Sequence, residues 1–258
     1  MPSSNLDWDI IGSVGVVTFN RPKARNALTW DMYDALVAAC ETAEAAGDVR
    51  VLIIRGAGGA FAAGTDISQF REFADGEAGV AYERRLDAVI ERIEQMSIPT
   101  IAEVDGPAVG GGCAIAVACD FRLCSDRASF GVPVARTLGN CLSMANMARM
   151  VDLLGVAVTK DLLLSGRLMD AYEAQQRGLA TLVLPVDQLR SETVKIATEL
   201  SARAPSTVQA TKAMLLRLRD HRRPPAGSAD DILRACYGSE DFKEGVAAFL
   251  EGRKPRFY

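Results

Sequence analysis

The sequence predicts an α/β fold that ends in a helical extension, and three observations predict it. Val51-Leu52-Ile53-Ile54 is an uninterrupted apolar run followed by a glycine-rich loop and then a helix; this is the pattern of a buried strand in a parallel sheet covered on both faces. The same order of strand, loop and helix recurs around residues 100–104 and 121–123, and such alternation belongs to the α/β class. From about Leu142 onward the periodicity is mostly helical. At 258 residues and 49% hydrophobic, the chain is long enough to bury one sizeable core without dividing into several. We expect an α/β core over residues 1–200 and a helical region for assembly or lid function over 201–258, together one functional unit.

Each element has a local reason. Val14-Gly15-Val16-Val17-Thr18-Phe19 is a strand, Asn20-Arg21-Pro22 breaks it, and Thr29 caps a helix that runs to about Ala46, where Gly47-Asp48 ends it. After the strand at 51–54, an amphipathic helix covers roughly 80–96, with Leu86, Val89, Ile90 and Ile93 at helical spacing. Ile98-Pro99 leads into the strand at 100–104, and Gly106-Pro107 is the turn after it. A short helix entered at Gly111 and a strand near 121–123 complete a further unit. One strand, 181–184, interrupts the later helices, and the chain closes on a helical run around 241–250.

Composition removes several classes of function. A net charge of −4 gives no electrostatic footprint for nucleic acid. The longest apolar stretches fall far short of a membrane span, and Met1-Pro2-Ser3-Ser4-Asn5-Leu6-Asp7 has neither a basic start nor an apolar run. A cytoplasmic location is the default expectation. The six cysteines form no Cys-x-x-Cys pair or Cys/His cluster with zinc spacing, so reduced thiols are expected. Cys113, Cys119 and Cys124 lie in apolar sequence and read as small core residues, while Cys141 is left open. His221, the lone histidine, sits in His221-Arg222-Arg223-Pro224-Pro225, which reads as an exposed loop and disfavours histidine-based catalysis.

Three segments carry most of the functional information: Ala60-Phe61-Ala62-Ala63-Gly64-Thr65-Asp66-Ile67, Gly110-Gly111-Gly112-Cys113-Ala114 and Phe130-Gly131-Val132-Pro133-Val134. In this order they resemble the crotonase, or enoyl-CoA hydratase/isomerase, superfamily. The likeness runs from Val14 to Phe257 and includes the tail Glu251-Gly252-Arg253-Lys254-Pro255-Arg256-Phe257. It implies a spiral of ββα units followed by C-terminal helices, packed as a homotrimer or a dimer of trimers. It also implies an acyl-CoA thioester as substrate. Coenzyme A then arrives as part of the substrate, with no permanently bound cofactor and no metal.

When a thioester becomes an enolate or a tetrahedral anion, negative charge builds on one oxygen. Fixed donors at that oxygen are then the largest catalytic contribution, each typically ~3 to 4 kcal/mol. The resemblance places these donors at the backbone N–H groups of Thr65 and Gly111; Gly111 also begins a helix, whose N-terminus favours an anion. Read without the resemblance, each segment is equally a tight turn. The resemblance further sets Ala63, Asp66 and Ile67 at the nucleotide end, with Lys23 or Arg25, Ala27 and Leu28 along the phosphates and pantetheine. Gly64, Gly110, Pro133, Val134 and Leu138 complete the implied binding set. Asp66 reads equally as a helix N-cap. Lys23 and Arg25 also read as a solvated loop pair, and the basic cluster Lys212, Arg217, Arg219, Arg222 and Arg223 as a solvated helix face and loop, with a share in phosphate binding as its alternative. Lysine is common in the family where Gly252 stands, so one ligand contact is expected to be missing.

In the family's hydratases the places of Ala114 and Val134 are both glutamates, which activate water and move a proton at the α-carbon. With both replaced by apolar residues, hydration by that route is disfavoured, and so is double-bond shifting by the second glutamate. A displaced acid or base has candidates in Arg136, Thr137, Asn140 and Cys141 after Val134, and in Tyr82, Glu83 and Asp87 on the preceding helix. Arg136 reads as a carboxylate or anion partner, or as half of a structural ion pair. Asn140 reads as a group orienting water or carbonyl, or as a turn residue after Gly139. Glu83 and Asp87 share one helix face and read most simply as solvated. Glu103, on an apolar strand, needs a partner if buried. Three functions stay open: a hydratase/isomerase-like enzyme, a thioester hydrolase, lyase or decarboxylase with a displaced acid/base, and a catalytically silent CoA-binding protein.

Overall fold

The computed structural model describes residues 5–257. Residues 1–4 and Tyr258 lie outside it, and with them part of the leader reading and the outer ends of the two expected regions. The strands are β1 (Leu6–Ile11), β2 (Val14–Phe19), β3 (Val51–Gly56), β4 (Thr100–Val104), β5 (Pro107–Val109), β6 (Phe121–Ser125), β7 (Ser129–Gly131), β8 (Met169–Asp170) and β9 (Leu182–Leu184). The helices are α1 (Trp30–Ala45), α2 (Gly76–Glu94), α3 (Gly111–Ala118), α4 (Val134–Thr137), α5 (Met144–Ser165), α6 (Ala171–Gln176), α7 (Val186–Ser201), α8 (Pro205–Arg222), α9 (Asp230–Tyr237) and α10 (Glu240–Leu250).

The large sheet has the order β1-β2-β3-β4-β6-β9. β1 is antiparallel to β2, and every later neighbour is parallel. Register places Val16 opposite Ile53 and Ile53 opposite Ile101. Because side chains alternate along a strand, Val16, Ile53, Ile101 and Leu123 meet Leu189 and Ala197 of α7 on one face. Val17, Leu52, Ile54 and Ala102 enter the main core on the other. The unbroken apolar run of β3 is therefore covered on both sides, as its composition predicts. A small sheet, β5-β7-β8, completes a spiral in which pairs of strands alternate with helices.

Thr29 caps α1, its side chain accepting from the Met32 N–H. Cys113, Cys119 and Cys124 are buried and all six thiols are free. α2 begins a turn earlier than its apolar spacing predicts, with Asp75 as the cap accepting from Ala78 N. The added turn contains Gly76 and Gly79, poor helix formers in isolation. They are there because α9 lies against them: a Cβ on Gly76 would fall 2.0 Å from Arg234 O, and one on Gly79 2.1 Å from Tyr237 Cγ. β1 escapes sequence reading because its outer half is exposed, with Ile10 44% and Ile11 41% accessible.

Two expectations about the C-terminal region are overturned. His221 is exposed but lies in the last turn of α8, not in a loop. The basic cluster is not simply solvated, since Lys212 and Arg219 are buried. Lys212 pairs with Asp120. Arg219 and Arg223 converge with Arg149 on Glu94, whose Oε2 accepts at 2.8 Å from Arg219, 3.0 Å from Arg223 and 2.8 Å from Arg149. These cations hold α2, α5 and α8 together, which leaves no free charge on them for a phosphate. Among the described residues no helix is long and apolar enough to cross a membrane.

Burial alone would raise the Glu94 pKa, but hydrogen bonds from Arg223 and Arg149 hold it down to about 2. The carboxylate therefore stabilises the fold above its ordinary titration range, and that stability is lost as pH falls through the range toward 2. Glu94→Gln removes the counter-charge of Arg223 and the shared partner of Arg149 and Arg219, which keep Asp87 and Asp220, and should lower unfolding free energy by about 3 kcal/mol at pH 7. Urea unfolding at pH 7 and at pH 3 checks this, and the difference between the two proteins should shrink at the lower pH.

Candidate active site

The segment after β3 is held on three sides. The buried side chain of Asn26 donates to Ala57 O (2.9 Å) and Ala60 O (2.7 Å) and accepts from Arg21 N (2.8 Å). Ala62 N then donates to Pro107 O and Val109 N to Ala62 O, zipping the segment to β5. On its other edge, Ala63 N donates to Arg25 O, Leu28 N to Gly64 O and Asp66 N to Leu28 O. Between these bonds the Thr65 N–H has no protein acceptor among the described residues. The same holds for Gly111, which is the first residue of α3 and so has no carbonyl a turn behind it.

The two loops touch through glycine. Gly64 has φ +106° and Gly110 φ +55°, conformations that side chains disfavour. A Cβ on Gly64 would stand 3.3 Å from Val109 O, and one on Gly110 3.5 Å from Gly64 Cα. Behind them the Thr65 hydroxyl, itself buried, hydrogen-bonds Tyr33 Oη (2.9 Å) and Tyr82 Oη (2.7 Å). Phe70 lies edge-on to Tyr82 at 4.8 Å, and Phe73, Tyr237 and Phe242 extend the aromatic wall.

Ala114 sits on α3 one turn beyond Gly110, and Val134 is the first residue of α4, behind Pro133. Ala114 and Val132 line a cavity of about 10 Å³ with Asn146 and Arg149, room for about one water. No carboxylate lines it. Arg149, its only charged side chain, is committed to Glu94 and Asp87.

Glu83 on α2 is 3% exposed rather than solvated. It accepts from Tyr237 Oη and from Ser143 N (3.1 Å), and Tyr237 in turn accepts from Asn140 Nδ2 (3.0 Å). Asp87, one helical turn on, takes Ser143 Oγ (2.7 Å) and Asn146 Nδ2 (3.1 Å). Burial, reinforced by the Asp87 charge, pushes the Glu83 pKa up to about 8 against the hydrogen bonds that lower it. Glu83 and Asp87 also line a groove of about 380 Å³ between α2 and the 224–230 segment. Helical spacing puts these acids on one face, as read from the sequence; it could not show that α9 closes over Glu83.

The other sequence candidates are scattered. Arg136 is exposed on α4 and, among the described residues, forms no ion pair. Thr137 donates to Pro133 O. Asn140 serves Tyr237 through Nδ2, while its buried Oδ1 has no partner among the described residues. Cys141 is half-buried, and the Cys236 thiol donates to Gly139 O (3.2 Å). Asp66 is an N-cap, accepting from Ser68 N, and pairs with Arg21 at 2.6 Å. Lys23 and Arg25 are exposed around a short 3-10 turn, Pro22–Ala24. Ala27 gives its carbonyl to Arg21, and Leu28, Ile67 and Leu138 are buried. Glu103 is buried 3.8 Å from Arg190. Among the described residues no group of three or more His, Cys, Asp or Glu could hold a metal ion. Sequence reasoning missed Asn26 and Tyr33, whose only signals were a polar residue after a turn and an aromatic on an ordinary core-facing helix position.

Residues 9–258 match the family model described as enoyl-CoA hydratase/isomerase. Enoyl-CoA hydratase EchA19 of Mycobacterium tuberculosis is 35% identical over 257 residues, covering 95% of this chain and 93% of that protein. The solved structure of an enoyl-CoA hydratase/carnithine racemase from Magnetospirillum magneticum is 34% identical, with a TM-score of 0.81, covering 100% of this chain and 96% of that one. A methylmalonyl-CoA decarboxylase in complex with 2-nitronate-propionyl-CoA superposes with a TM-score of 0.91 at 25% identity, covering 100% and 99%.

The Glu83 environment generates a pH test. Its folded pKa of about 8 lies above the ordinary 4.5, so the folded state is not penalised below pH 4.5 and loses stability as pH rises toward 8, by at most about 1.4 kcal/mol per unit. Glu83→Gln should flatten that part of the stability profile, read by thermal melting from pH 5 to 9.

Proposed function

Since the chain belongs to the enoyl-CoA hydratase/isomerase family, we propose that it binds an acyl-CoA and stabilises an enolate or oxyanion of the thioester between the N–H groups of Thr65 and Gly111. The observation that carries this reading is the pair of backbone donors left without protein acceptors where two glycine loops touch. Such donors cost no reorganisation when charge develops. Coenzyme A comes as part of the substrate, along Lys23 or Arg25, Ala27, Leu28, Ala63, Asp66 and Ile67. The working form is a homotrimer or a dimer of trimers in the cytoplasm.

Addition of water by two glutamates is not the proposed reaction, because Ala114 and Val134 offer no group that can take a proton. A second reading, a lyase, hydrolase or decarboxylase with a displaced acid, is favoured by Glu83, whose carboxyl stays largely protonated near neutral pH. The similarity to a methylmalonyl-CoA decarboxylase supports the same direction, since loss of carbon dioxide yields an enolate that the two donors can hold.

Incubation with crotonyl-CoA and saturated, branched and dicarboxylic acyl-CoAs in deuterium oxide, followed by mass and free thiol, tests the proposal. Deuterium gain, thioester hydrolysis or decarboxylation is expected, and saturable binding with unchanged mass throughout would replace it with a silent CoA binder. Gly64→Ala forces a methyl into a φ of +106° and within 3.3 Å of Val109 O. Turnover should fall about 10²-fold or more as the Thr65 N–H is displaced.

A further inference from the structure

Tyr33, Thr65 and Tyr82 form a chain of three hydroxyls joined by two hydrogen bonds, 2.9 and 2.7 Å long. Each hydroxyl carries one proton. Two bonds use two of the three protons, and among the described residues no further acceptor takes the third. A buried hydroxyl proton left unpaired is costly, so its direction matters.

The two ends have different neighbours. Tyr82 is ringed by Trp30, Phe70, Phe73 and Tyr237, with ring centroids 4.8–6.1 Å away, and Thr65 Oγ1 is its one hydrogen-bonding partner among the described residues. Of the directions the two bonds allow, the one that follows from this sends the Tyr82 proton to Thr65 and the Thr65 proton on to Tyr33. In that arrangement the spare proton belongs to Tyr33. That hydroxyl lies against Gly111: a Cβ there would stand 2.2 Å from Tyr33 Oη and 3.3 Å from Thr65 Oγ1. The absence of a side chain at residue 111 thus admits a phenol beside one of the two N–H donors. Burial raises the Tyr33 pKa further, which keeps the phenol neutral and able to donate.

We propose that Tyr33 is a third hydrogen-bond donor to the thioester oxygen, its proton aimed by the directed chain from Tyr82 through Thr65. This rests on the reading that Thr65 and Gly111 hold that oxygen. It assigns a substrate contact to a helix α1 side chain, and it makes Tyr82 a positioning residue that acts through Thr65.

Butyryl-CoA carrying carbon-13 at the thioester carbonyl is the probe, and its carbonyl stretch on binding is read by infrared difference spectroscopy, alongside its Kd and its rate of α-deuterium exchange. In the unaltered protein the band should shift to lower frequency. Tyr33→Phe should lose part of that shift and about 10²-fold in exchange. Tyr82→Phe removes only the far end of the chain and should lose less of both. A smaller shift in Tyr33→Phe than in Tyr82→Phe, at similar Kd, supports the assignment. Equal losses in the two variants would mean that the chain only packs the core, and an unchanged band in Tyr33→Phe would remove Tyr33 from the substrate. No shift in the unaltered protein would overturn the two-donor reading as well.

Discussion

The arrangement depends on one seam of backbone hydrogen bonds. The stretch from Phe61 to Asp66 lies between the Arg25–Leu28 segment on one side and β5 on the other and is hydrogen-bonded to both, while the Thr65 N–H stays without a protein acceptor among the described residues. β5 runs directly into the glycines that open α3. Fixing the seam fixes the separation of the Thr65 and Gly111 donors, because both strands leave the same short ladder. A buried polar group normally finds a partner; two adjacent N–H groups without one are a fixed positive feature of the surface they form. The buried amide of Asn26 belongs to the same constraint, since it ties the start of the Leu28 segment to the loop after β3.

Around that seam the charges are divided by function. The ion pairs of Glu94 with Arg149, Arg219 and Arg223 and of Lys212 with Asp120 bind helices to one another. They sit in or near the core and stabilise by mutual neutralisation, which makes them poor binding groups. Glu83 has the opposite character: it has hydrogen bonds but, among the described residues, no ion pair, and burial favours its protonated form. Ala114 and Val134 contribute no ionisable side chain, and no carboxylate lines the small cavity at Ala114.

Apart from the half-exposed edge strand β1, the strands of the large sheet and the helices between them were legible because their periodicities are strong, as β3 and α1 illustrate. The small sheet was not: β5, β7 and β8 are two or three residues long, too short for alternation to register, and they gain their stability from pairing across the chain. The start of α2 was misplaced because its glycines answer to the backbone and ring of α9, a contact without a local sequence signal. The same holds at the site. Glycine motifs pointed to Thr65 and Gly111, whereas Tyr33 looked like any core aromatic and Glu83 like any solvated helix acid. What distinguishes them is a packing partner: Gly111 for one, Tyr237 and Ser143 for the other.

The two-donor site is tested most directly at the donors themselves. With threonine and glycine selectively labelled with nitrogen-15, amide proton shifts can be followed as butyryl-CoA is added. The N–H protons of Thr65 and Gly111 should move downfield together as each gains an acceptor, with Gly178, in the turn after α6, unmoved. Saturable binding that shifts other amides and leaves both of these in place would contradict their role in holding the thioester oxygen.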